Sequence, residues 1–445
     1  MNIDSIPMQP PHLTLANPLD SWEASAHNPI SPPGIYIADP EGRQWKDGKM
    51  YIYGSRDEST EYYCSWSYHV LSSPDLIHWN IDENSFASRG PHTQVPYRDS
   101  LLYAPDCVYR DGLYYLYYCL EGGGEDEGVA TSTSPCGPFV NGTKIAGIQQ
   151  IDPSVFIDDD GQAYIYWGQG NAKAAKLKPN MLEIEPETIQ ENVLTEKEHF
   201  FHEGSSVRKR NGIYYFVYAH IGRRVRPTSL GYATSSSPLG PFKYQGVIID
   251  NHGCDPAVWN NHGSITEFNG KWYVLYHRST HNSVTMRKAC IEPITFNEDG
   301  TIPEVEMTTQ GAGGPLSAAS RIEAVSACLL SGNVRVQAYG PQAEELGQIQ
   351  NGDTATYKYI DFGKGVSRFT AKTIGIAAGG KIEVYIDSLV GTPIGVCEIP
   401  ANSDPDGWAT RTCEVTATGG THALFLKFKG AEGDLFNLDR FTFEG

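Results

Sequence analysis

No stretch of eighteen apolar residues occurs anywhere in the chain, so no segment is long enough to cross a bilayer as a helix. Basic residues are scarce. There are 34 Lys and Arg against 53 Asp and Glu, a formal net charge of −19. So acidic a surface repels phosphate backbones, and nucleic acid is not an expected partner. The nine cysteines are odd in number and include no CxxC pair, which argues against a zinc site or a disulfide scaffold. Cys107–Cys119 and Cys397–Cys413 stay open as pairings. The N-terminal stretch "MNIDSIPMQPPHLTLANP" lacks the basic and apolar regions of a signal peptide. The expectation is a cytoplasmic protein if the chain is complete, and a secreted one if a leader has been removed. Helical periodicity is nearly absent as well.

What is present is aromatic and strand-like. The 445 residues suffice for two or three domains. Aromatics make up 11%, with 26 Tyr and 8 Trp. Such rings suit β-rich folds, and they also suit sugars, whose apolar faces stack on them.

A pattern of Asp-Gly or Asn-Gly followed by alternating aromatic and aliphatic residues recurs five times. The copies are "DGKMYIYGS" from Asp47, "DGLYYLYYC" from Asp111, "DGQAYIYWG" from Asp160, "NGIYYFVYA" from Asn211 and "NGKWYVLYH" from Asn269. They start 64, 49, 51 and 58 residues apart. Each pair is a strong hairpin signal, and one hairpin per roughly 50 residues is the period of a β-propeller blade. Ser-Pro turns in "SSPDLIHW", "TSTSPCGPF" and "TSSSPLGPF" end an outer strand in three of the repeats. The predicted fold is all-β: a five-bladed β-propeller over residues 30–310, closed by an N-terminal segment, residues 1–29.

A polar residue heads each repeat: Asp39, Asp106, Asp152, Glu203 and His262, respectively 9, 6, 9, 9 and 8 residues before the hairpin glycine. First strands line the central channel of a propeller, so these side chains converge around one end of its axis. The shorter offset of Asp106 marks it as structural. Asp39, Asp152 and Glu203 share a register. Like charges in a narrow funnel push one carboxyl pKa up and leave another low, which separates a general acid from a general base. This is what glycoside hydrolysis requires. Neighbouring blade heads across a channel favour the wider carboxyl separation of about 6.5–9.5 Å, and hence inversion.

These residues carry a resemblance. "ADPEG", "IDPSVF" and "HEGSSV" resemble the three acid motifs of glycoside hydrolase family 43, the five-bladed propeller family of α-L-arabinofuranosidases, β-D-xylosidases and arabinanases. The resemblance implies that Asp39 is the general base, that Asp152 orients the acid and raises its pKa, and that Glu203 is the general acid. "NNHGSI" is similar to a fifth-blade motif whose histidine faces a central calcium or water cluster, which puts a possible Ca2+ beside His262. No organic cofactor is implied. Arg278 and Arg287 are candidates to hold Asp152 or Glu203 ionically. Trp66, Tyr103, Trp167 and His220 lie near blade tops in this register and are candidate sugar platforms.

After a Gly-, Ala- and Ser-rich linker, residues 311–320, the composition changes. Residues 321–445 read as short strands: "YKYIDFG", "GGKIEVYIDS", "IGVCEIP", "WATRTCEVTAT", "HALFLKFKG" and "LFNLDRFTF". A β-sandwich of jelly-roll type is predicted. "GGKIEVYIDSLVGTPIGVCEIP" and "LFNLDRFTFEG" resemble a family 6 carbohydrate-binding module. That resemblance implies a sugar cleft using Trp408 and Asn437. The early paired-acid motif of that family is half present: "RIEAVSA" keeps Glu323 and has Val325 at the second acid position. Together these implications make the chain an inverting glycosidase on plant cell-wall pentosans. It would release terminal α-L-arabinofuranosyl residues, or alternatively β-D-xylosyl residues or both. A non-catalytic carbohydrate-binding propeller is the reading from another class.

Overall fold

Each Asp-Gly or Asn-Gly pair joins the first two strands of a blade. At Asp111–Gly112, Asn211–Gly212 and Asn269–Gly270 both central residues have positive φ, from 50° to 91°. That conformation fits the right-handed twist of the flanking strands, and Asp, Asn and Gly tolerate it best. The computed structural model describes residues 27–445 apart from 123, 125–126, 341, 376–377 and 402–406.

Five separate antiparallel sheets follow in chain order. Blade 1 comprises Tyr36–Gln44, Met50–Asp57, Ser67–Ser73 and Asn80–Ala87. Blade 2 comprises Asp106–Arg110, Leu113–Tyr118, Gly128–Ser132 and Val140–Lys144. Blade 3 comprises Ser154–Ile157, Ala163–Trp167, Asn171–Lys176 and Gln190–Thr195. Blade 4 comprises Phe201–Arg210, Ile213–His220, Ser229–Ser235 and Lys243–Asp250. Blade 5 has three strands among the described residues: Ser264–Phe268, Lys271–Thr280 and Ser283–Ile294.

The hydrophobic cores lie between blades, and they close a ring. One packs Tyr53 and Val70 of blade 1 on Cys107 and Leu116 of blade 2. Others join Tyr117 to Ile165, Tyr166 to Phe216, and Tyr232 to Tyr276. The last joins Leu275 and Ile291 of blade 5 to Ile37 and Ile52 of blade 1. Both faces of each blade are therefore buried, which is why its strands read as nearly continuous apolar runs. Residues 28–31 bond along the third strand of blade 5. Ile30 N–H donates to Ala289 O at 2.9 Å, and the Asn28 amide bonds both Ile291 and Glu292. Of the predicted closing segment, residues 1–26 lie outside the described residues.

Inside the channel, charges pair with each other. Arg43 clamps Asp106 (Nη2 to Oδ2, 2.6 Å) and reaches Val155 O, while Arg208 and Ser206 hold Glu41. Asp106 also accepts the Val155 N–H at 2.7 Å. Its role is therefore to tie blades 1, 2 and 3 together.

The C-terminal domain is two sheets curled round one core that includes Tyr357, Phe369, Leu426, Phe436 and Phe441. One sheet carries Thr354–Asp361, Thr421–Lys429, Gly380–Ile386 and Gly395–Ile399. The other carries Arg335–Gly340, Ala343–Gly347, Phe436–Glu444, Val366–Gly375 and Ala409–Thr418. They meet where Gly395 pairs with Val415. All six predicted strands form, and Arg335–Gly340, Ala343–Gly347 and Val366–Gly375 complete the sheets. The domain docks on the propeller through a buried ion pair, Lys288 Nζ to Glu344 Oε2 at 2.5 Å, which Tyr36 caps at 2.6 Å. All nine cysteines are free thiols, including Cys107, Cys119, Cys397 and Cys413.

Candidate active site

The chain bends sharply at each acid. Asp39 precedes Pro40 with φ 52°, and Asp152 precedes Pro153 with φ 61°. Both sit in the left-handed region, which few residues other than Gly, Asn and Asp enter readily. Ladder register breaks between Ala38 and Glu41, and again around Glu203 and Ser206. Such bulges re-aim side chains. Gly204, at φ 75°, has no room for a Cβ: one would lie 2.8 Å from the His262 ring. Its bare backbone lets the Gly204 N–H reach Asp152 Oδ2 at 3.1 Å.

The result is one pocket of about 310 Å³ holding Asp39, Asp152 and Glu203, with Tyr63, Tyr103, Gln169, Trp259, Asn260, His262 and Arg287 around them. The nearly buried Asp39 is held on every side. Arg287 Nη1 donates to Oδ1 at 2.9 Å and Ser55 Oγ donates to Oδ2 at 2.5 Å. Burial alone would raise its pKa. The Arg287 guanidinium, helped by His277 and His262, outweighs burial and holds the carboxyl far below the usual range. Arg287 is itself fixed by Asp57, through Nε–Oδ2 at 2.8 Å and Nη2–Oδ1 at 2.9 Å, and its guanidinium lies 5.0 Å from the Tyr63 ring centre.

Asp152 is the opposite case. Burial, then repulsion from Glu203 and Asp39, pushes its carboxyl well above the usual range. Asp152 therefore retains a proton at a pH where Asp39 has lost its own. Glu203 accepts from Gln169 Nε2 at 2.8 Å and Asn260 Nδ2 at 3.2 Å. A chain of bonds joins the two ends of the pocket. Asp39 N–H donates to His277 Nδ1 (3.2 Å), which puts the imidazole proton on Nε2, facing Asn260 Oδ1 at 3.1 Å. That contact aims the Asn260 amide at Glu203. His262 Nδ1 lies 3.5 Å from Asp39 Oδ1 and 3.9 Å from Asp152 Oδ2, and burial lowers its pKa. An ionised Asp39, a protonated Asp152 and Glu203 around one cavity can run a displacement that needs a base and an acid at once.

Of the other residues predicted from sequence, Arg287 and Tyr103 join the pocket, Arg287 holding Asp39 in place of Asp152 or Glu203. Trp167, 1% exposed, belongs to the core between blades 2 and 3. His220 stacks on Tyr244 at 5.5 Å and bonds its hydroxyl. Arg278 is spent on the Tyr276 hydroxyl, Thr308 O and Glu292. These three are structural, because the second strand of a blade faces a neighbouring blade on both sides. Trp66 packs against Tyr62 and under Arg89, outside the pocket lining. Sequence reasoning missed Asp57, Gln169, Trp259, Asn260 and His277. Asn260 lies within the quoted "NNHGSI", two residues before His262.

Residues 26–302 match the family described as Glycosyl hydrolases family 43. The chain belongs to that family. Residues 323–445 match Carbohydrate binding module (family 6). A "Xylosidase/arabinosidase" of Thermoclostridium stercorarium is 32% identical, covering 91% of this chain and 96% of that one. An "Arabinoxylan arabinofuranohydrolase" of Bacillus subtilis is 29% identical, covering 91% and 90%. Among solved structures, a family 43 arabinoxylan arabinofuranohydrolase from Bacillus subtilis in complex with cellotetraose superposes with a TM-score of 0.54 at 28% identity. It covers 95% of this chain and 98% of that one. A family 43 β-xylosidase/α-arabinofuranosidase from a compost metagenome, in a calcium-free form with xylotriose, gives 0.53 at 30% identity, covering 62% and 97%. Family 43 hydrolysis needs no organic cofactor.

Calcium fits this family 43 channel poorly. It takes six to eight oxygen ligands. The oxygens near His262 already accept from Arg287, Ser55 and Gly204. Among the described residues no group of three or more His, Cys, Asp or Glu is arranged to hold a metal ion. In the C-terminal domain Glu323 pairs with Arg321. There, Ile374 pairs with Asn437 and Thr373 with Ala409, so Trp408 and Asn437 flank one strand end. Trp408 lies 5.4 Å from Tyr339, and Asn437 donates to Glu345 at 2.6 Å. Asn437 Oδ1 and Glu345 Oε2 are buried without a partner.

Proposed function

We propose that this family 43 chain is an inverting, exo-acting glycosidase that releases terminal α-L-arabinofuranosyl residues from plant cell-wall pentosans such as arabinoxylan. Asp39 takes a proton from water as its oxygen bonds to the anomeric carbon. Glu203 gives a proton to the leaving oxygen as the old glycosidic bond breaks. Asp152 stays protonated beside Glu203 and orients it through the Gly204 backbone. Inversion follows because water and leaving group occupy opposite faces of the sugar. The observation that carries the reading is one pocket in which Arg287 holds Asp39 ionised while burial and the neighbouring acids hold a proton on Asp152, with Glu203 beside them. The relatives named for arabinoxylan support the arabinosyl assignment. The xylosidase/arabinosidase relative supports a second reading, β-xylosidase or dual activity. In the C-terminal domain, Trp408 and Asn437 would hold the polymer.

The test is release of 4-nitrophenol from the α-L-arabinofuranoside and the β-D-xyloside, beside arabinose release from arabinoxylan. Faster turnover of the arabinofuranoside supports the first reading, and faster turnover of the xyloside the second. No turnover of any of the three leaves a binding propeller. Chelation is expected to leave turnover and Tm unchanged, because guanidinium and backbone groups already neutralise the channel acids. A loss restored by added calcium would contradict that expectation.

A further inference from the structure

Three arginines, Arg223, Arg224 and Arg226, stand within four residues on one loop of a chain whose net charge is −19. That loop joins the second and third strands of blade 4. Its start is at the pocket end, because His220 pairs with Phe201 at the head of the strand bearing Glu203. Two of the arginines are neutralised within the chain. Arg223 grips Glu304 at 2.7 and 2.5 Å, and Arg224 faces Asp250 at 3.6 Å. Arg226 differs: it forms no ion pair with a carboxylate among the described residues. Yet its position is fixed. Nη1 donates to Val258 O at 2.9 Å, and the guanidinium lies 5.2 Å from the Trp259 ring centre. Trp259 is 39% exposed and lines the pocket beside Asn260, the residue that holds Glu203.

A second tryptophan near the mouth makes the contrast plain. Trp66 is also covered by an arginine, Arg89 at 3.8 Å, but Asp99 neutralises that guanidinium at 2.7 and 3.0 Å. The pocket rim therefore has an aromatic ring of suitable size for a sugar, with a fixed and uncompensated cation over one of its faces. An exposed guanidinium so placed recognises a carboxylate. We propose that Trp259 and Arg226 bind the leaving side of the substrate, and that Arg226 selects pentosan chains carrying a uronic-acid substituent close to the bond cleaved. This rests on the glycosidase reading above.

The test compares two arabinosylated xylo-oligosaccharides that differ only in one uronic-acid substituent. Their affinities are measured calorimetrically on Glu203→Gln, so the result does not depend on turnover. At low salt the acidic oligosaccharide is expected to bind roughly 2- to 5-fold tighter, the range of a single exposed ion pair. The preference should vanish in the double variant Glu203→Gln/Arg226→Gln, and it should shrink toward unity in 0.5 M salt. Equal affinities in Glu203→Gln would overturn the proposal. A preference that survives Arg226→Gln would also overturn it, since the carboxylate would then be read elsewhere, for instance on the C-terminal domain. Hydrolysis of the aryl arabinofuranoside by the unaltered enzyme checks the glycosidase reading separately. Failure there, with the affinity difference intact, would remove the catalysis and leave the binding site.

Discussion

Glu203→Gln is expected to lower kcat on arabinoxylan about 10²- to 10⁴-fold, the range that one positioned proton donor supplies. The loss on 4-nitrophenyl arabinofuranoside should be far smaller, because nitrophenolate departs without a proton. The amide keeps the shape of the carboxyl and its one oxygen still accepts from Gln169 or Asn260, so KM should change little beside kcat. The discriminating measurement is the ratio of the two losses. A large ratio follows if Glu203 donates the proton. Equal losses on both substrates would mean that the side chain only shapes the pocket. No loss on arabinoxylan would move the acid elsewhere.

Arg287→Met should unsettle both stability and chemistry. Its side chain is 3% exposed and answers two buried carboxylates, Asp39 at 2.9 Å and Asp57 at 2.8 Å. Removing one partner of a buried pair leaves uncompensated charge and costs about 3–5 kcal/mol. The pH dependence has a definite sign. The folded-state pKa of Asp39 is depressed, so it contributes stability above its unfolded pKa, and that stability is lost as pH falls toward the folded value. Without Arg287, burial raises both acids, and the penalty grows as pH rises above their unfolded values. Urea unfolding should therefore show a wide gap between wild type and variant at pH 7 and a narrower one near pH 4. The acid limb of kcat/KM should move upward in pH, because the base now holds its proton. Arg287→Lys keeps the charge and loses the two-point grip, so its losses should be smaller. A stability gap independent of pH would contradict the role given to Arg287.

The parts of the fold set by local chemistry could be read from the sequence. Five Asp-Gly or Asn-Gly hairpins fix the blade period, and a count back from each glycine put Asp39, Asp152 and Glu203 in one register. The count works because side chains alternate along a strand and each first strand faces the axis. It fails on second strands, where both faces are buried between blades. Alternation there does not separate core from rim, and Trp167 and His220 went to the core. Arg278 and Arg287 lie on paired strands, with Ser279 opposite Arg287, so a shift of one residue decides which guanidinium meets the acids. Asp57, Gln169 and Asn260 come from strand ends and loops, where no period operates. The hydrogen bonds that bring them together join residues up to 230 positions apart in the chain.

The central claim is that water attacks from Asp39 while Glu203 protonates the opposite side of the same sugar. Proton NMR during the first minutes of hydrolysis reads this directly, before the released sugar mutarotates. The account predicts that an α-L-arabinofuranoside first yields β-L-arabinofuranose. Initial release of the α-anomer would require a covalent intermediate and would contradict a base-activated water at Asp39.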